Sequence, residues 1–234
     1  MQTDSIFDTL LDLSLFRGVS RERIAEIVGR VRFNFLRYNP ADVIIHRGEN
    51  CNRLKFILSG TIRVVMESKA TGFKVAQTLT GPNVIFPEFL FGRITTYPCR
   101  VTALSTASVV EIEKSDYLRI LSMDNIFQLN YLNYLSLNAQ KAVGGALALS
   151  SGDVISKIAF YVSTLTQPGS IDIELNSGDI PMEKMLDTDR ESLRAACDDM
   201  RSKGIVECLT ANSIKIGERR ELLNIIIPQA QHGN

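Results

Sequence analysis

The chain has 234 residues, 45% of them hydrophobic and 22% charged, enough apolar material for one large domain or two modest ones. Basic and acidic residues balance at 26 each, so no global field draws the chain toward nucleic acid or a membrane, and any DNA contact has to be local. No apolar run approaches the roughly 18 residues of a membrane span, and the opening MQTDSIFDTL lacks the basic start of a signal peptide, which predicts a cytoplasmic protein.

Residues 5–29 read as helical. Ile6, Leu10 and Leu13 recur at helical spacing, and Ser20 caps a second short helix carrying Ile24, Ile27 and Val28. From residue 32 the period drops to two. Phe33, Phe35, Val43, Ile45, Leu54, Phe56, Leu58, Ile62, Val64, Val75 and Leu79 fall in short runs between turns such as Gly48-Glu49-Asn50, Ser59-Gly60 and Gly81-Pro82-Asn83. The runs continue through Val101 to Leu104 and Ser108 to Ile112, which predicts an antiparallel, jelly-roll-like β-roll and an α+β chain.

Residues 115–142 return to helix. Ile120, Phe127 and Tyr134 stand seven apart, as do Met123, Asn130 and Leu137. A seam with that repeat fits a helix pairing with its own copy, with Asn130 setting the register and Leu121, Leu132 and Leu135 facing the barrel. The alternative is a long helix packed only within its own chain. Gly144-Gly145 is expected to break or bend it. Beyond Leu147 the chain reads as mostly helical: residues 153–165 with Ile155, Ile158, Ala159 and Val162 on one face, then two short helices at 177–186 and 190–200. A hairpin of residues 205–209 and 213–216 follows, turning at Ala211-Asn212.

The stretch PMEKMLDTDRESLRAACDDMRSKGIVE carries the functional argument. Pro181 suits a first helical turn, and Asp187-Thr188-Asp189 is a three-residue polar turn. Thr188 with Glu191 can form a capping box, with Asp189 as a competing cap. On the second helix Leu193, Cys197 and Met200 (or Ala196) make the buried stripe, leaving Arg190, Glu191 and Arg194 exposed at the N-terminal end. Helix-turn-helix proteins present that end to the major groove, where arginine pairs with guanine and glutamate accepts from cytosine. Ser192 can reach a phosphate, and Arg201 and Lys203 can hold the backbone farther along. Gly204 ends the helix before the hairpin, giving a winged arrangement. Against this, residues from 150 onward hold 13 acidic and 9 basic side chains, an unusual balance for a nucleic-acid domain.

Taken together, LLDLSLFRGVS, the barrel signature Gly48-Glu49 with Leu54-x-Phe56-Ile57-Leu58-x-Gly60-x-Ile62, the long helix, and Asp187 to Leu193 before Gly204-Ile205-Val206 resemble the Crp/Fnr family of transcription regulators. The resemblance implies a homodimer with a β-roll sensor at 1–114, a dimerisation helix and hinge at 115–146, and a winged helix-turn-helix at 147–234. The implied seam is Ile120, Met123, Phe127, Asn130, Tyr134 and Leu137. The implied partners are double-stranded DNA with a two-fold operator, a second copy of the chain, RNA polymerase and a small effector. Ala195 stands where many relatives place an arginine, so the operator is expected to differ from the usual half-site.

The effector site also departs from the family pattern. Cyclic-nucleotide-binding relatives clamp the phosphate with an arginine-serine pair, and here Tyr97-Pro98 stands in that place, followed by Cys99-Arg100. Arg93 or Arg100 can substitute only if the loop is rearranged. Glu88, Phe89, Phe91, Tyr97 and Arg100 are the expected effector-pocket residues, though FPEFLFG reads more readily as barrel packing. The cofactor is unknown. Haem ligation by His46, a methionine or Cys99 is the alternative for a gas sensor. Cys51, Cys99, Cys197 and Cys208 form no CxxC pair and read as reduced, structural thiols. With only His46 and His232, no catalytic or metal-ligating set is identified, which excludes a cupin-type enzyme. The other alternative is a ligand-sensing module that has lost DNA binding.

Overall fold

Period-two runs in the first half and helical stripes in the second build two compact units of mixed α and β structure. The computed structural model describes residues 10–150 and 153–226; Ile6 and His232 lie outside them. One unit comprises residues 1–63 and 80–137, the other 64–79 and 138–234. Among the described residues no helix is long and apolar enough to cross a membrane.

In the first unit, β1 (Phe33–Tyr38), β3 (Arg53–Ser59), β6 (Asn83–Ile85) and β8 (Ala107–Glu113) form an antiparallel sheet in the order β1-β8-β3-β6. Beside it β2 (Val43–Ile45) pairs with β7 (Cys99–Ala103). Ser20 caps α1 (Arg21–Arg30) by accepting from the Arg23 N–H. The Phe56 ring on β3 meets Phe16 edge-on at 5.5 Å, and Phe16 meets Phe127 at 5.1 Å, so one aromatic column ties the N-terminal segment to the sheet.

The long helix differs from expectation in two ways. It is two helices, α2 (Lys114–Met123) and α3 (Asn125–Ser150), separated by Asp124 in an extended conformation (φ −152°, ψ 130°). The Asp124 carboxylate accepts from the Ile126 N–H at 2.8 Å and starts the second helix. Gly144-Gly145 does not break it. A Cβ on Gly145 would lie 2.1 Å from the Phe160 ring, so this glycine makes room for a packed aromatic and the helix runs on to Ser150.

In the second unit, α4 (Val154–Leu165), capped by Asp153, packs Ile158, Ala159 and Val162 into a core with Leu193, Cys197, Met200, Ile214, Ile216 and Leu222. Its sheet runs β10 (Val206–Leu209), β11 (Ser213–Glu218), β9 (Ile171–Asn176), β5 (Lys74–Thr80). Strand β9 was not anticipated, and β5 reaches it from the hairpin that it makes with β4 (Thr61–Glu67). The helix expected at 177–186 shrinks to one turn, α5 (Met182–Met185), because Gly178 is left-handed (φ +72°) and Ser177 is held by the Asn212 carbonyl. Then follow α6 (Arg190–Ser202) and α7 (Arg219–Ile226).

Candidate nucleic-acid interface and barrel interior

The turn between α5 and α6 is built by a buried cation. Lys157 on α4 donates its ammonium to the carbonyls of Leu186 at 2.9 Å and Asp187 at 3.0 Å, and Asp187 sits at φ +47°. Carbonyls at a helix end lack intrahelical donors, so the lysine satisfies groups that would otherwise be orphaned. Asp189, rather than Thr188, is the N-cap of α6. Its carboxylate accepts from the Ser192 hydroxyl at 2.6 Å and the Ser192 N–H at 2.7 Å, and these two bonds hold its pKa below the ordinary carboxylate range.

From that cap α6 turns Leu193, Cys197 and Met200 inward and leaves Arg190, Glu191, Ser192 and Arg194 exposed at its first turn. Beside them lies a cleft of about 250 Å³ lined by Glu183, Arg190, Leu193, Arg194, Thr210 and Ala211, so the hairpin turn flanks the helix end. The remaining expected contacts already have partners. The Ser192 hydroxyl is spent on its cap, Arg201 pairs with Asp198 at 2.5 Å, and Lys203 pairs with Asp199 at 2.7 Å. Exposed pairs of this kind are worth about 0–1 kcal/mol, so a phosphate can displace either acid at little cost.

In the first unit, the expected effector-pocket residues divide. Glu88, Phe89 and Phe91 are half-buried and Tyr97 is buried, its hydroxyl donating to the Arg53 carbonyl at 3.0 Å. Arg100 points outward between buried Cys99 and Val101 on β7, and Arg93 is exposed, so Arg100 is no pocket residue. The Phe91 and Tyr117 rings both meet Tyr131 edge-on, the Tyr131 hydroxyl donates to the Pro87 carbonyl, and Lys114 lies over the Phe91 ring. The FPEFLFG segment is packed, as its composition suggested. Lys55 forms a buried ion pair with Glu111, and Arg53 is bonded to Glu113 at 2.6 Å; Lys55, Arg53 and Glu113 line a mixed-charge cleft of about 410 Å³ with Glu49, Asn50 and Asn52. His46 is exposed in the turn after β2.

Burial, then the Glu88 carboxylate, push the Cys99 thiol from an ordinary 9.0 to about 12, and burial lifts Cys197 to about 11. Both folded pKa values are raised, so the stability these thiols contribute is complete below pH 9 and falls as pH rises toward 12. Neither is expected to react with iodoacetamide at pH 8 in the native protein, whereas both alkylate on unfolding; mass spectrometry distinguishes the two states.

The heptad face on α2 and α3 is turned inward. Ile120 and Phe127 are fully buried in their own chain, and the Asn130 amide donates to the carbonyls of Leu15 at 3.2 Å and Arg17 at 2.9 Å. These three are therefore intrachain groups and not a seam. Met123 and Tyr134 are half-buried. The exposed apolar stripe of α3 is Leu129, Leu132, Val143 and Leu147, all 57–68% exposed, with Leu137 at its flank. Leu132 thus lies on the opposite side from the one its spacing suggested.

Residues 35–124 match the family profile of the cyclic nucleotide-binding domain. The fold is similar to the catabolite activator protein of Thermus thermophilus, at 17% identity over 91% of this chain and 98% of that one, with a TM-score of 0.52. It is also similar to the sensor domain of the transcriptional regulator DNR from Pseudomonas aeruginosa, at 16% identity over 58% of this chain and 91% of that one, with a TM-score of 0.50. A voltage-gated inwardly rectifying potassium channel, KCNH6 of Rattus norvegicus, is 28% identical over 134 residues, which is 56% of this chain but only 13% of the channel. The chain is an α+β protein in which residues 35–124 are similar to a cyclic nucleotide-binding domain. Its fold is that of the Crp/Fnr regulators.

Proposed function

We propose that the chain is a homodimeric, sequence-specific DNA-binding transcription regulator of Crp/Fnr type, with α5, α6 and the β10–β11 hairpin acting as a winged helix-turn-helix. The observation that carries this reading is the first turn of α6, where Arg190, Glu191 and Arg194 stand exposed beside the hairpin turn. Arginine and glutamate at that end of a groove-reading helix can each discriminate a base by about 1–3 kcal/mol. The acidic balance of this unit is partly absorbed by the Arg201–Asp198 and Lys203–Asp199 pairs, so affinity rests on a few arginines and on two-fold symmetry. Two-fold pairing would place two such helices about one DNA turn apart. RNA polymerase is the partner expected of a regulator at its promoter. The effector is a small molecule other than cyclic AMP, because Tyr97-Pro98 stands where cyclic-nucleotide-binding relatives carry the arginine-serine clamp.

Selection from a randomised duplex pool tests the reading. Wild type is expected to enrich a palindrome with a steep salt dependence, and Glu191→Ala to relax preference at one position of each half-site while the fold is kept. No enrichment would favour a sensor module without DNA binding.

The second copy is expected on the Leu129–Leu132–Val143–Leu147 stripe, since a helix face this apolar is covered in a stable protein. Leu132→Glu should convert the dimer to monomer in sedimentation. Asn130→Lys should instead lower the melting temperature of the barrel, because Asn130 holds Leu15 and Arg17.

A further inference from the structure

The β4–β5 hairpin comes from the first half of the chain yet is built into the second unit. Strand β5 runs antiparallel to β9 with Val75 opposite Leu175 and Ala76 opposite Glu174, and Val75 is part of the same core as Leu193 and Met200. Gln77, 0% exposed, is a hub. Its amide nitrogen donates to the Leu165 carbonyl at 3.3 Å, and its oxygen accepts from the Gln167 N–H at 2.7 Å and from the Ser170 hydroxyl. Lys74 pairs with Glu174 at 3.2 Å, and the Thr78 hydroxyl bonds to Asp172 at 3.3 Å.

The hairpin tip then touches the loop that leads into α5. The Asp179 N–H donates to the Thr71 carbonyl at 3.1 Å, and Gly178 lies against the backbone of Thr71 and Gly72. That loop is in turn bonded to the β10–β11 turn. The Asn212 amide donates to the Gly178 carbonyl at 2.8 Å, Ser177 N–H donates to the Asn212 carbonyl, and Met182 N–H donates to the Ala211 carbonyl. A contiguous path therefore runs from β5 through the loop at 177–180 to the hairpin turn beside Arg190 and Arg194.

We propose that the β4–β5 hairpin is the positioning element of the DNA-reading helix pair: docked on β9, it fixes the loop and turn in the reading arrangement, and undocked, it leaves them loose. Gln77 is its main positioning residue. This rests on the DNA-binding reading above. The β5–β9 ladder is a natural place for such control, because one ladder can open locally while β5 keeps its pairing with β4.

The test uses the full chain in three forms: wild type, Gln77→Leu, and Gln77→Leu carrying Ala76→Cys with Glu174→Cys. Opposed residues of an antiparallel pair lie about 4.5–5.5 Å apart at Cα, inside disulfide range, so the cysteines staple β5 to β9 when oxidised. Amide hydrogen exchange over residues 171–189 and affinity for the selected duplex are read in parallel. Gln77→Leu is expected to speed exchange at 177–187 at least tenfold and to weaken duplex binding at least tenfold. The oxidised staple restores both, and reduction reverses the rescue; wild type under the same oxidant is the control. If Gln77→Leu does not fold, Lys74→Glu, which replaces the Lys74–Glu174 ion pair with two facing carboxylates across the β5–β9 ladder, takes its place. Wild-type exchange at 177–187 in a folded hairpin variant, or a staple without effect, overturns the proposal. If wild type binds no duplex, the DNA-binding reading fails by itself, and the exchange arm still decides whether the hairpin organises the helix pair.

Discussion

Lys157→Met is expected to cost about 3 kcal/mol and to abolish specific DNA binding, although residue 157 never faces the groove. The ammonium is buried against the carbonyls of Leu186 and Asp187. Methionine fills much the same space but leaves both oxygens without a donor, and a buried unsatisfied carbonyl costs about 1–3 kcal/mol. The desolvation of the lysine is relieved at the same time, which keeps the net loss in the lower half of the roughly 2–6 kcal/mol that the two oxygens together would cost. The damage falls on the turn between α5 and α6, where Asp187 is held at φ +47°. Chemical denaturation gives the stability loss, and duplex binding at a temperature where the variant remains folded gives the functional one. Lys157→Arg, which keeps the charge in a larger planar group, should recover part of the stability but not the turn geometry.

Two glycines with the same backbone angle provide the second large effect. Gly178 and Gly204 both sit at φ +72°, a region that costs other residues about 1–2 kcal/mol. A Cβ on Gly204 meets nothing within 4 Å, whereas one on Gly178 would lie 2.1 Å from the Thr71 carbonyl oxygen and 2.4 Å from Gly72. Gly204→Ala is therefore expected to lose only the conformational term, about 1 kcal/mol. Gly178→Ala must also push two backbone segments apart and is expected to lose about 4 kcal/mol. The difference between the two melting curves isolates the close approach, and equal losses would show that the contact at Thr71 yields freely.

Much of this was readable from the chain. The period-two runs led to the roll, and the α6 stripe of Leu193, Cys197 and Met200 is buried as its spacing required. What failed did so for physical reasons. A heptad repeat says that a face is apolar but not what covers it; Phe127 was claimed by the aromatic column through Phe16, and Ile120 is buried within its own chain. The Gly144-Gly145 pair carries a helix-breaking propensity that tertiary packing overrode, because Phe160 needs the missing side chain. Residues 171–175, Ile-Asp-Ile-Glu-Leu, alternate plainly and could have been recognised as β9; the pairing of β9 with β5, about a hundred residues away in sequence, could not. Lys157 left a faint trace as the one charge among Val154, Ile155, Ile158 and Ala159. Its partners are backbone carbonyls, which no side-chain pattern announces.

The interruption at Asp124 has a mechanical side. Helix α3 has 26 residues and so measures about 39 Å at 1.5 Å per residue. Its near end is set by one extended residue and one carboxylate bond to the Ile126 N–H, and the rest is an unbroken rod. A pivot of about 10° at that joint sweeps the far end through about 7 Å, more than one helical turn's pitch of 5.4 Å. The length of α3 alone thus turns a small rotation at Asp124 into a displacement the size of a side chain.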